Sequence, residues 1–276
     1  MPRVRGTVSE GRIMVGRRQK KPTWVVEKER ARQGEAAGLW LFGIHAVRDA
    51  LLNPKRRKLR LIATRNAADR LAEAIAAADL TPEIADARRF DAPLDPQSVH
   101  QGAALEVLPL DWGSVSELCA PHEQAPLVLL LDRVTDPHNV GAILRSAEVF
   151  GARAVIAPRR HSAPETGALA KSASGALERQ PYLQVTNLAN AMGSLKQMGY
   201  AIIGLDGTSS ETLETALQNH AAQPLALALG AEGPGLRELT VKTCDSLARI
   251  SFASDFGSLN VSNAAAVALY AAGRTR

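Results

Sequence analysis

The chain has 276 residues, of which 46% are apolar, and its 33 basic and 28 acidic side chains give a net charge of +5. This length allows two domains with at least one sizeable core, and Cys119 and Cys244 lack the spacing of a disulfide framework or a metal site. No apolar run approaches the roughly 20 residues of a membrane helix, and the first residues lack the apolar block of a secretory signal. We therefore expect a cytoplasmic protein with no membrane segment and no metal.

Residues 1–37 carry most of the positive charge. They hold ten basic and four acidic side chains, a net charge of +6, which leaves the remainder of the chain near −1. A basic, weakly apolar segment is poorly suited to fold alone but well suited to lie along a phosphate backbone, where each cation displaces counterions. We predict a disordered leader that binds RNA; a solvated tail without a partner has the same composition.

A small α/β domain is predicted over residues 38–108. Its segments are an apolar entry with an amphipathic helix (LWLFGIHAVRDALLN, 39–53), a strand (KLRLIAT, 58–64), a second helix (NAADRLAEAIAAA, 66–78) and a closing strand (ALEVLPL, 104–110). Five cations cluster around the turn between the first helix and the strand at 58–64: Lys55, Arg56, Arg57, Lys58 and Arg60. This cluster is either a solvated loop or an RNA contact, and the cationic leader favours the RNA contact.

A second domain is predicted over residues 126–276, after a linker rich in Pro, Gly and polar residues over 109–125. Its apolar runs of strand length are PLVLLLD (126–132), RAVIAP (153–158), YAIIGLD (200–206), PLALALG (224–230) and LARISF (247–252). Helical patterns such as NVGAILRSAEVFG and NLANAMGSLKQMG lie between them. Alternation of strands and helices predicts an α/β fold with a mostly parallel sheet covered on both faces.

Three polar, glycine-containing segments follow three of these strands, over residues 132–148, 230–239 and 251–265. Ligands of such sheets bind at the carboxyl ends of the strands, so we expect the three segments to lie together. The second segment surrounds the carboxylate of Glu232 with Gly230, Gly233, Pro234 and Gly235. It matches neither GxxxxGK[ST] nor GxGxxG after a first strand, which disfavours nucleoside triphosphate chemistry.

Arg145 is a candidate functional side chain in the first segment. One helical face is formed by Val140, Ile143, Leu144, Ala147 and Phe150, and Arg145 lies about 160° from its centre at 100° per residue. A solvated surface arginine fits that position, but Asn139 and Gly141 at the start of the same helix favour a site. In the third segment, the polar residues Ser258, Asn260, Ser262 and Asn263 either cap the last helix or face a cleft.

The three segments together resemble the three motifs of the SPOUT methyltransferases, specifically the TrmH-type ribose 2′-O-methyltransferases. DPHNVGAILRSAEVFGARAVI is similar to motif one, LALGAEGPGL to motif two and SLNVSNAAAVALY to motif three. With the small first domain and KSASGALERQPYLQVTNL (171–188), residues 39–276 look closest to the branch that methylates guanosine in bacterial 23S rRNA. The resemblance implies a deep trefoil knot in the C-terminal sheet, an RNA-binding first domain and a homodimer.

The resemblance also implies a site. S-adenosyl-L-methionine would be held by main-chain groups at Gly230, Ile250 and Leu259, and the catalytic set would be Arg145, Asn139, Glu232, Asn260 and Ser258. The family assigns removal of the hydroxyl proton to Arg145, but a guanidinium with a pKa above about 12 accepts no proton. We prefer a clamp on the adjoining phosphate and the developing alkoxide, with Asn139 and Glu232 orienting Arg145 or the ribose and Asn260 bonding near the attacking oxygen.

One departure from the family pattern is visible, since many relatives have Ile-Pro-Met where this chain has Ile250, Ser251 and Phe252. It affects the local shape of the cofactor loop. Two other functions stay open at this point: a tRNA ribose 2′-O-methyltransferase, and a catalytically silent RNA-binding or ribosome-assembly factor. The tRNA branch commonly has shorter flanking extensions, and a silent factor would be marked by loss of Arg145 or Asn139, both of which are present.

Overall fold

The computed structural model describes residues 38–95, 97–121, 125–252 and 259–275. The predicted leader over 1–37 and the candidate residue Ser258 lie outside these ranges. The described strands are β1 (Leu39–Phe42), β2 (Lys58–Thr64), β3 (Glu83–Ala85), β4 (Ala103–Val107), β5 (Leu127–Asp132), β6 (Ala154–Pro158), β7 (Tyr182–Val185), β8 (Ala201–Leu205), β9 (Leu225–Gly230) and β10 (Ser246–Ala248).

The described helices alternate with these strands over most of the chain. They are α1 (Ile44–Leu52), α2 (Arg65–Arg70), α3 (Ala72–Ala78), α4 (Val115–Leu118), α5 (Pro137–Val149), α6 (Gly167–Ala173), α7 (Leu188–Gln197), α8 (Leu213–Asn219), α9 (Glu238–Thr243) and α10 (Val261–Arg274), with a 3₁₀ turn at Ala176–Glu178. None of them is both long and apolar enough to cross a bilayer.

The strands form two sheets. A four-stranded sheet has the order β1-β4-β2-β3, in which β4 is antiparallel to both neighbours and β3 is parallel to β2. A six-stranded sheet has the order β10-β8-β9-β5-β6-β7, and every neighbouring pair is parallel. The predicted α/β fold with a mostly parallel C-terminal sheet is confirmed.

The continuous apolar run of β5 is explained by burial of both faces of the sheet. Leu129 and Leu131 enter a core that continues into the four-stranded sheet, whereas Val128 and Leu130 enter a second core on the opposite face. Successive side chains of a strand point to opposite faces, so a central parallel strand needs apolar residues at every position.

Several predicted elements differ from those observed. The predicted strand 247–252 is shorter, since β10 ends at Ala248, and the predicted helix 66–78 is interrupted at Leu71. The edge strands β3 and β7 and the helices α6, α8 and α9 were not predicted, because short segments carry little periodicity. The region predicted as a linker contains α4, which begins with a capping box of Ser114 and Glu117.

Phe150 was wrongly predicted on the buried face of the helix. Val140, Ile143, Leu144 and Ala147 are fully buried as expected, but α5 ends at Val149 and Phe150 is 37% exposed. The chain leaves the helix here because Gly151 adopts a φ of +70°. Phe150 contacts the Tyr270 ring on α10 edge to face, with the ring centres 6.2 Å apart.

Arg56 is buried, which contradicts both interpretations of the basic cluster for this residue. Its guanidinium donates to both carboxylate oxygens of Glu178 at 2.7 and 3.0 Å and pairs with Glu165 at 2.5 Å. Only 2% of Arg56 is exposed. Two carboxylates therefore compensate one buried cation, and this ion cluster connects the turn before β2 to the segment that follows β6.

The other cations of the cluster have varied surroundings. Arg60 pairs with Glu83 on the neighbouring strand, and the Lys58 ammonium donates to the Asn53 carbonyl at 2.8 Å. Lys55 and Arg57 are exposed. Of the five cations, only Lys55 and Arg57 are as exposed as the predicted contact with solvent or RNA requires.

Both thiols are passive at neutral pH. Burial raises the pKa of Cys119 to about 11. Burial and the neighbouring Asp245 carboxylate raise the pKa of Cys244 to about 12. Since the thiolate is the reactive form, neither cysteine is a nucleophile under physiological conditions.

Replacement of Arg56 by methionine tests the buried ion cluster. The apolar side chain leaves two carboxylates buried without a cation, so we expect the free energy of unfolding to fall by about 3–5 kcal/mol. The matched control is Arg57→Met, which removes an exposed cation from the next residue and should change stability by no more than about 0.5 kcal/mol. Urea denaturation followed by circular dichroism measures both; equal effects would show that the cluster contributes nothing specific.

Candidate active site at the carboxyl edge of the parallel sheet

The three polar segments meet at one edge of the six-stranded sheet, as predicted. The first follows β5, the second follows β9, and these two strands are hydrogen-bonded neighbours whose last residues, Asp132 and Gly230, pair in register. The third begins after β10 and resumes at Leu259 ahead of α10. Parallel strands bring their carboxyl ends to the same edge, so loops distant in sequence become neighbours.

Asn139, Glu232 and Asn260 form a hydrogen-bonded cluster with one residue from each segment. The Asn260 amide nitrogen donates to Glu232 Oε1 at 2.6 Å and to Asn139 Oδ1 at 2.9 Å. The Asn139 amide nitrogen donates to the same Glu232 oxygen at 3.2 Å. All three side chains are at least partly exposed, so the cluster presents a carboxylate and two amides to a ligand at the edge of the sheet.

Asn260 has two roles at the start of α10. Its side-chain oxygen accepts a hydrogen bond from the Ser262 backbone at 2.9 Å and caps the helix, while its amide nitrogen bonds to Glu232 and Asn139. The helix therefore fixes the orientation of the amide. The helix cap, one of the two alternatives in the sequence, is confirmed, and the same side chain also contacts the other two loops.

Asp132 anchors the segment that carries Glu232, and sequence reasoning missed this role. The carboxylate is fully buried at the end of β5. One oxygen accepts from the Arg237 backbone at 2.9 Å and from the Thr240 hydroxyl at 2.6 Å, and the other accepts from Arg237 Nε at 2.6 Å. A single acidic residue at the end of an otherwise apolar run, PLVLLLD, was the available signal.

A pocket of about 240 Å³ lies beside the cluster. It contains all three residues predicted to bind the cofactor, Gly230, Ile250 and Leu259, together with Glu232. The rest of the lining is mostly apolar side chains and glycine backbone: Leu205, Gly207, Leu229, Gly233, Gly235, Ala248, Phe252, Val261 and Ala264, with Asp206 and Ala231. Such a lining suits a flat apolar ring held by main-chain groups.

The glycines in this pocket are required by close approach of the backbone. A Cβ at Gly230 would lie 2.1 Å from the carbonyl carbon of Gly235, since the segment folds back on the end of β9. Gly233 and Gly235 adopt φ values of +86° and +68°, which disfavour any other residue. The glycine pattern therefore shapes the loop around Glu232.

Arg145 lies apart from the cluster. It is exposed, and it is six residues after Asn139 on α5, which separates the two by about 9 Å along the helix axis. A shallow cleft beside it is lined by Ala142, Ser146, Phe150 and Ser172. No hydrogen bond joins Arg145 to Asn139, Glu232 or Asn260 in the described part of the chain, so the structure brings together three of the predicted catalytic side chains and leaves Arg145 outside them.

This chain belongs to the SpoU rRNA methylase family, whose sequence model matches residues 126–270. The match begins at the first strand of the parallel sheet and ends within α10. All three loops of the candidate site lie inside it.

The chain is also similar to curated proteins over most of its length. It is 40% identical to the 23S rRNA (guanosine-2′-O-)-methyltransferase RlmB of Pseudomonas putida over 241 residues, which cover 86% of this chain and 96% of that protein. It is 41% identical to the protein of the same description from Pseudomonas syringae pv. tomato over 244 residues, covering 86% and 95%.

The fold matches that of a solved structure, the SpoU methyltransferase AviRb from Streptomyces viridochromogenes in complex with the cofactor AdoMet. The TM-score is 0.73 at 23% sequence identity, and the match covers 89% of this chain and 92% of the other. At this identity the likeness establishes the fold.

Replacement of Asp132 by alanine tests the anchor. The change leaves the buried Thr240 hydroxyl and the Arg237 backbone N–H without an acceptor, so we expect a loss of about 1–3 kcal/mol in unfolding free energy. Amide hydrogen exchange over residues 231–240 should also accelerate more than exchange in β5. Asp69→Ala removes an exposed carboxylate from α2 and is the control; if its effect equals that of Asp132→Ala, the anchor has no special role.

Proposed function

We propose that this protein transfers a methyl group from S-adenosyl-L-methionine to the ribose 2′-hydroxyl of a guanosine in 23S rRNA. The observation that carries the proposal is the Asn139–Glu232–Asn260 cluster, which lies beside a backbone-lined pocket containing Gly230, Ile250 and Leu259. Family membership and the activity for which the relatives that match almost end to end are named support the same reaction and the same RNA.

The pocket residues fit the cofactor. Apolar side chains of Ile250 and Leu259 suit the two faces of an adenine ring, and the glycine backbone around Gly230 suits hydrogen bonds to its edge. Bound S-adenosyl-L-methionine supplies a methyl group on a positively charged sulfur, an electrophile that needs no metal ion to activate it. Phe252 also lines the pocket, so the departure at Ser251 and Phe252 from the common Ile-Pro-Met pattern keeps an apolar wall.

The polar cluster orients the ribose. Glu232 is held by two amide donors and accepts a hydrogen bond from the ribose hydroxyl, while the Asn139 and Asn260 amides are fixed by their mutual bond and by the start of α10. As the 2′-oxygen takes the methyl group and the neutral thioether leaves, the hydroxyl proton passes through this hydrogen bond to solvent at the exposed Glu232 carboxylate. Fixed donors and acceptors place the attacking oxygen without reorganisation in the reaction step. We assign Ser258, beyond the described residues, to the same ribose-binding set.

Arg145 is proposed to clamp the phosphate next to the target ribose and to stabilise negative charge that develops on the 2′-oxygen. Its planar fork of donors matches two phosphate oxygens, and its exposure leaves it available to RNA. The separation from Asn139 fits a role on the adjoining phosphate better than a role as proton acceptor on the hydroxyl itself.

A homodimer, a knotted C-terminal region and an RNA-binding first domain complete the proposal. Dimerisation is supported by exposed apolar side chains at the end of α5 and on the adjacent helix α10: Val149 (72%), Phe150 (37%), which directly follows α5, Val267 (41%) and Tyr270 (56%). Such a patch marks an interaction surface. Val149 is one turn from Arg145 on the same face of α5, so a dimer through this patch would put Arg145 at the subunit interface.

The proposed reaction is tested by single-turnover transfer of radiolabelled methyl to fragments of 23S rRNA, with tRNA transcripts and EDTA-treated samples in parallel. We expect transfer to a guanosine 2′-oxygen of rRNA that persists in EDTA. Transfer to tRNA alone would favour the tRNA methyltransferase. Binding of RNA and cofactor without any transfer would favour the silent factor.

Substitution of Arg145 separates its role from cofactor binding. Arg145→Ala should reduce the rate of transfer on the order of 100-fold or more, as does loss of other donors to a developing oxyanion. Arg145→Lys should retain part of the rate, because it keeps a point charge but loses the bidentate fork. Asn260→Ala should reduce the rate of methyl transfer by less than Arg145→Ala does.

Calorimetry should give the same affinity for S-adenosyl-L-methionine in the wild type, both Arg145 variants and Asn260→Ala. Arg153→Ala, at the opposite edge of the sheet, is the matched arginine control and should leave the rate unchanged. If the Arg145→Ala variant transferred the methyl group at the wild-type rate, Arg145 would have no role in the mechanism.

A further inference from the structure

We propose that a second cleft, lined by Trp112 and Arg159, binds one unpaired nucleotide of the RNA by stacking its base on the Trp112 ring. The inference rests on the proposed RNA substrate but concerns a different site. The cleft has a volume of about 410 Å³ and lies where the segment after β4 passes the residue that follows β6 and the first three residues of β7. Its lining includes Asp111, Glu165, Tyr182 and Gln184.

The position of the cleft relates it to the candidate active site. Arg159 directly follows β6, so it lies at the same carboxyl edge of the parallel sheet as Glu232, which follows β9. Strands β9, β5, β6 and β7 are consecutive neighbours, and spacings of about 4.8 Å per strand put β7 roughly 14 Å from β9. One RNA strand that crosses this edge can occupy both sites.

The Trp112 ring supplies a stacking surface that the Lys55 ammonium covers when no ligand is bound. A base that stacks on this face displaces the exposed Lys55 side chain towards its own phosphate. Trp112 is half-buried and packs on the core of the sheet, and the Lys55 ammonium lies 5.9 Å from the centre of its ring. A flat base has a π-face whatever its identity and gains about 1–3 kcal/mol by stacking on an aromatic side chain. Lys55 is in position to accompany the phosphate of the stacked nucleotide.

Two exposed cations beside the cleft are available to an anionic ligand. Arg159 is exposed and forms no ion pair with a described residue. Of the two acids in the lining, Glu165 is already paired with Arg56, and Asp111 accepts the Gly113 backbone N–H at 2.9 Å. The exposed cations beside the cleft are Arg159 and Lys55 and its exposed carboxylate is Asp111, whereas Glu165 shares the single Arg56 cation with Glu178.

The wall of the cleft is fixed by buried contacts. Arg56 Nη1 donates to the Leu108 carbonyl at 2.8 Å, and the Leu110 backbone N–H bonds to Glu165. The segment that carries Trp112 is therefore attached to the Arg56–Glu165 ion pair at Leu108 and Leu110, four and two residues before Trp112. A preorganised surface loses little conformational entropy when it binds a ligand.

The polar groups of the cleft floor are already used within the protein. The Tyr182 hydroxyl and the Gln184 amide nitrogen both donate to the Ala163 carbonyl, at 2.7 and 3.1 Å. Few groups remain to read the edges of a base, so stacking and charge dominate. The expected ligand is therefore single-stranded RNA with little sequence preference, and a duplex is excluded because its bases are stacked on each other.

The test is equilibrium binding of the full chain to a fluorescein-labelled 12-nucleotide single strand and to a duplex of the same length. Trp112→Ala should weaken single-strand binding about 5- to 100-fold, whereas Trp112→Phe should retain most of the affinity. Arg159→Ala should weaken binding and reduce the slope of log affinity against log salt by about 1. The control is Arg153→Ala, which removes an arginine before β6 rather than after it. It should leave both the affinity and the salt slope unchanged. Duplex affinity should not depend on Trp112.

Because Trp112 also packs on the core, the exposed pair Lys55→Glu with Arg159→Glu gives a second test that leaves the core intact. This double variant should lose single-strand affinity without loss of thermal stability. Unchanged single-strand binding in Trp112→Ala and in the double variant would overturn the nucleotide cleft. If the cleft variants bound free RNA normally and lost activity only on ribosomal particles, the nucleotide cleft would be overturned in favour of a contact with a ribosomal protein.

Methyl transfer by the wild-type protein distinguishes failure of the nucleotide-cleft proposal from failure of the proposed function. If the wild type methylates rRNA while the cleft variants bind RNA normally, only the cleft proposal fails. If the wild type transfers no methyl group, the proposed function fails whatever the oligonucleotide binding shows.

Discussion

The buried carboxylate of Asp132 is the constraint on which the candidate site depends. It lies at the end of β5, in the centre of the sheet, and its three hydrogen bonds pull the start of α9 against that strand. The intervening residues must then turn tightly back over Gly230, which brings Glu232 to the edge of the sheet where Asn139 and Asn260 meet it. A charge that is costly to bury is stabilised only while this loop stays folded.

A second buried charge links the four-stranded sheet to the segment between β6 and β7, beside the Trp112 cleft. Arg56 belongs to the segment before β2, and its carboxylate partners belong to the segment between β6 and β7. Burial raises the pKa of Glu165 despite the adjacent Arg56 guanidinium, so desolvation is the larger effect at this carboxylate. Both sheets share one continuous apolar core around this cluster, and the segment with Trp112 is held in place beside it.

Periodicity predicted the long, buried elements of the fold, because both faces of β5 and one face of α5 leave a regular apolar pattern. It missed β3 and β7 because edge strands of three or four residues carry too little pattern. The meeting of Asn139, Glu232 and Asn260 was predictable from strand ends. The burial of Arg56 was not, because its carboxylate partners are more than 100 residues away. Phe150 was misplaced because helix periodicity does not show where the helix ends.

Methylation of a guanosine 2′-oxygen in 23S rRNA can be measured in cells by mapping 2′-O-methyl groups in rRNA and tRNA with and without the gene for this protein. We predict that one guanosine of 23S rRNA loses its methyl group when the gene is deleted and regains it when the gene is restored. All tRNA sites should be unchanged. Unchanged methylation of 23S rRNA, or loss of a methyl group from tRNA alone, would contradict the account.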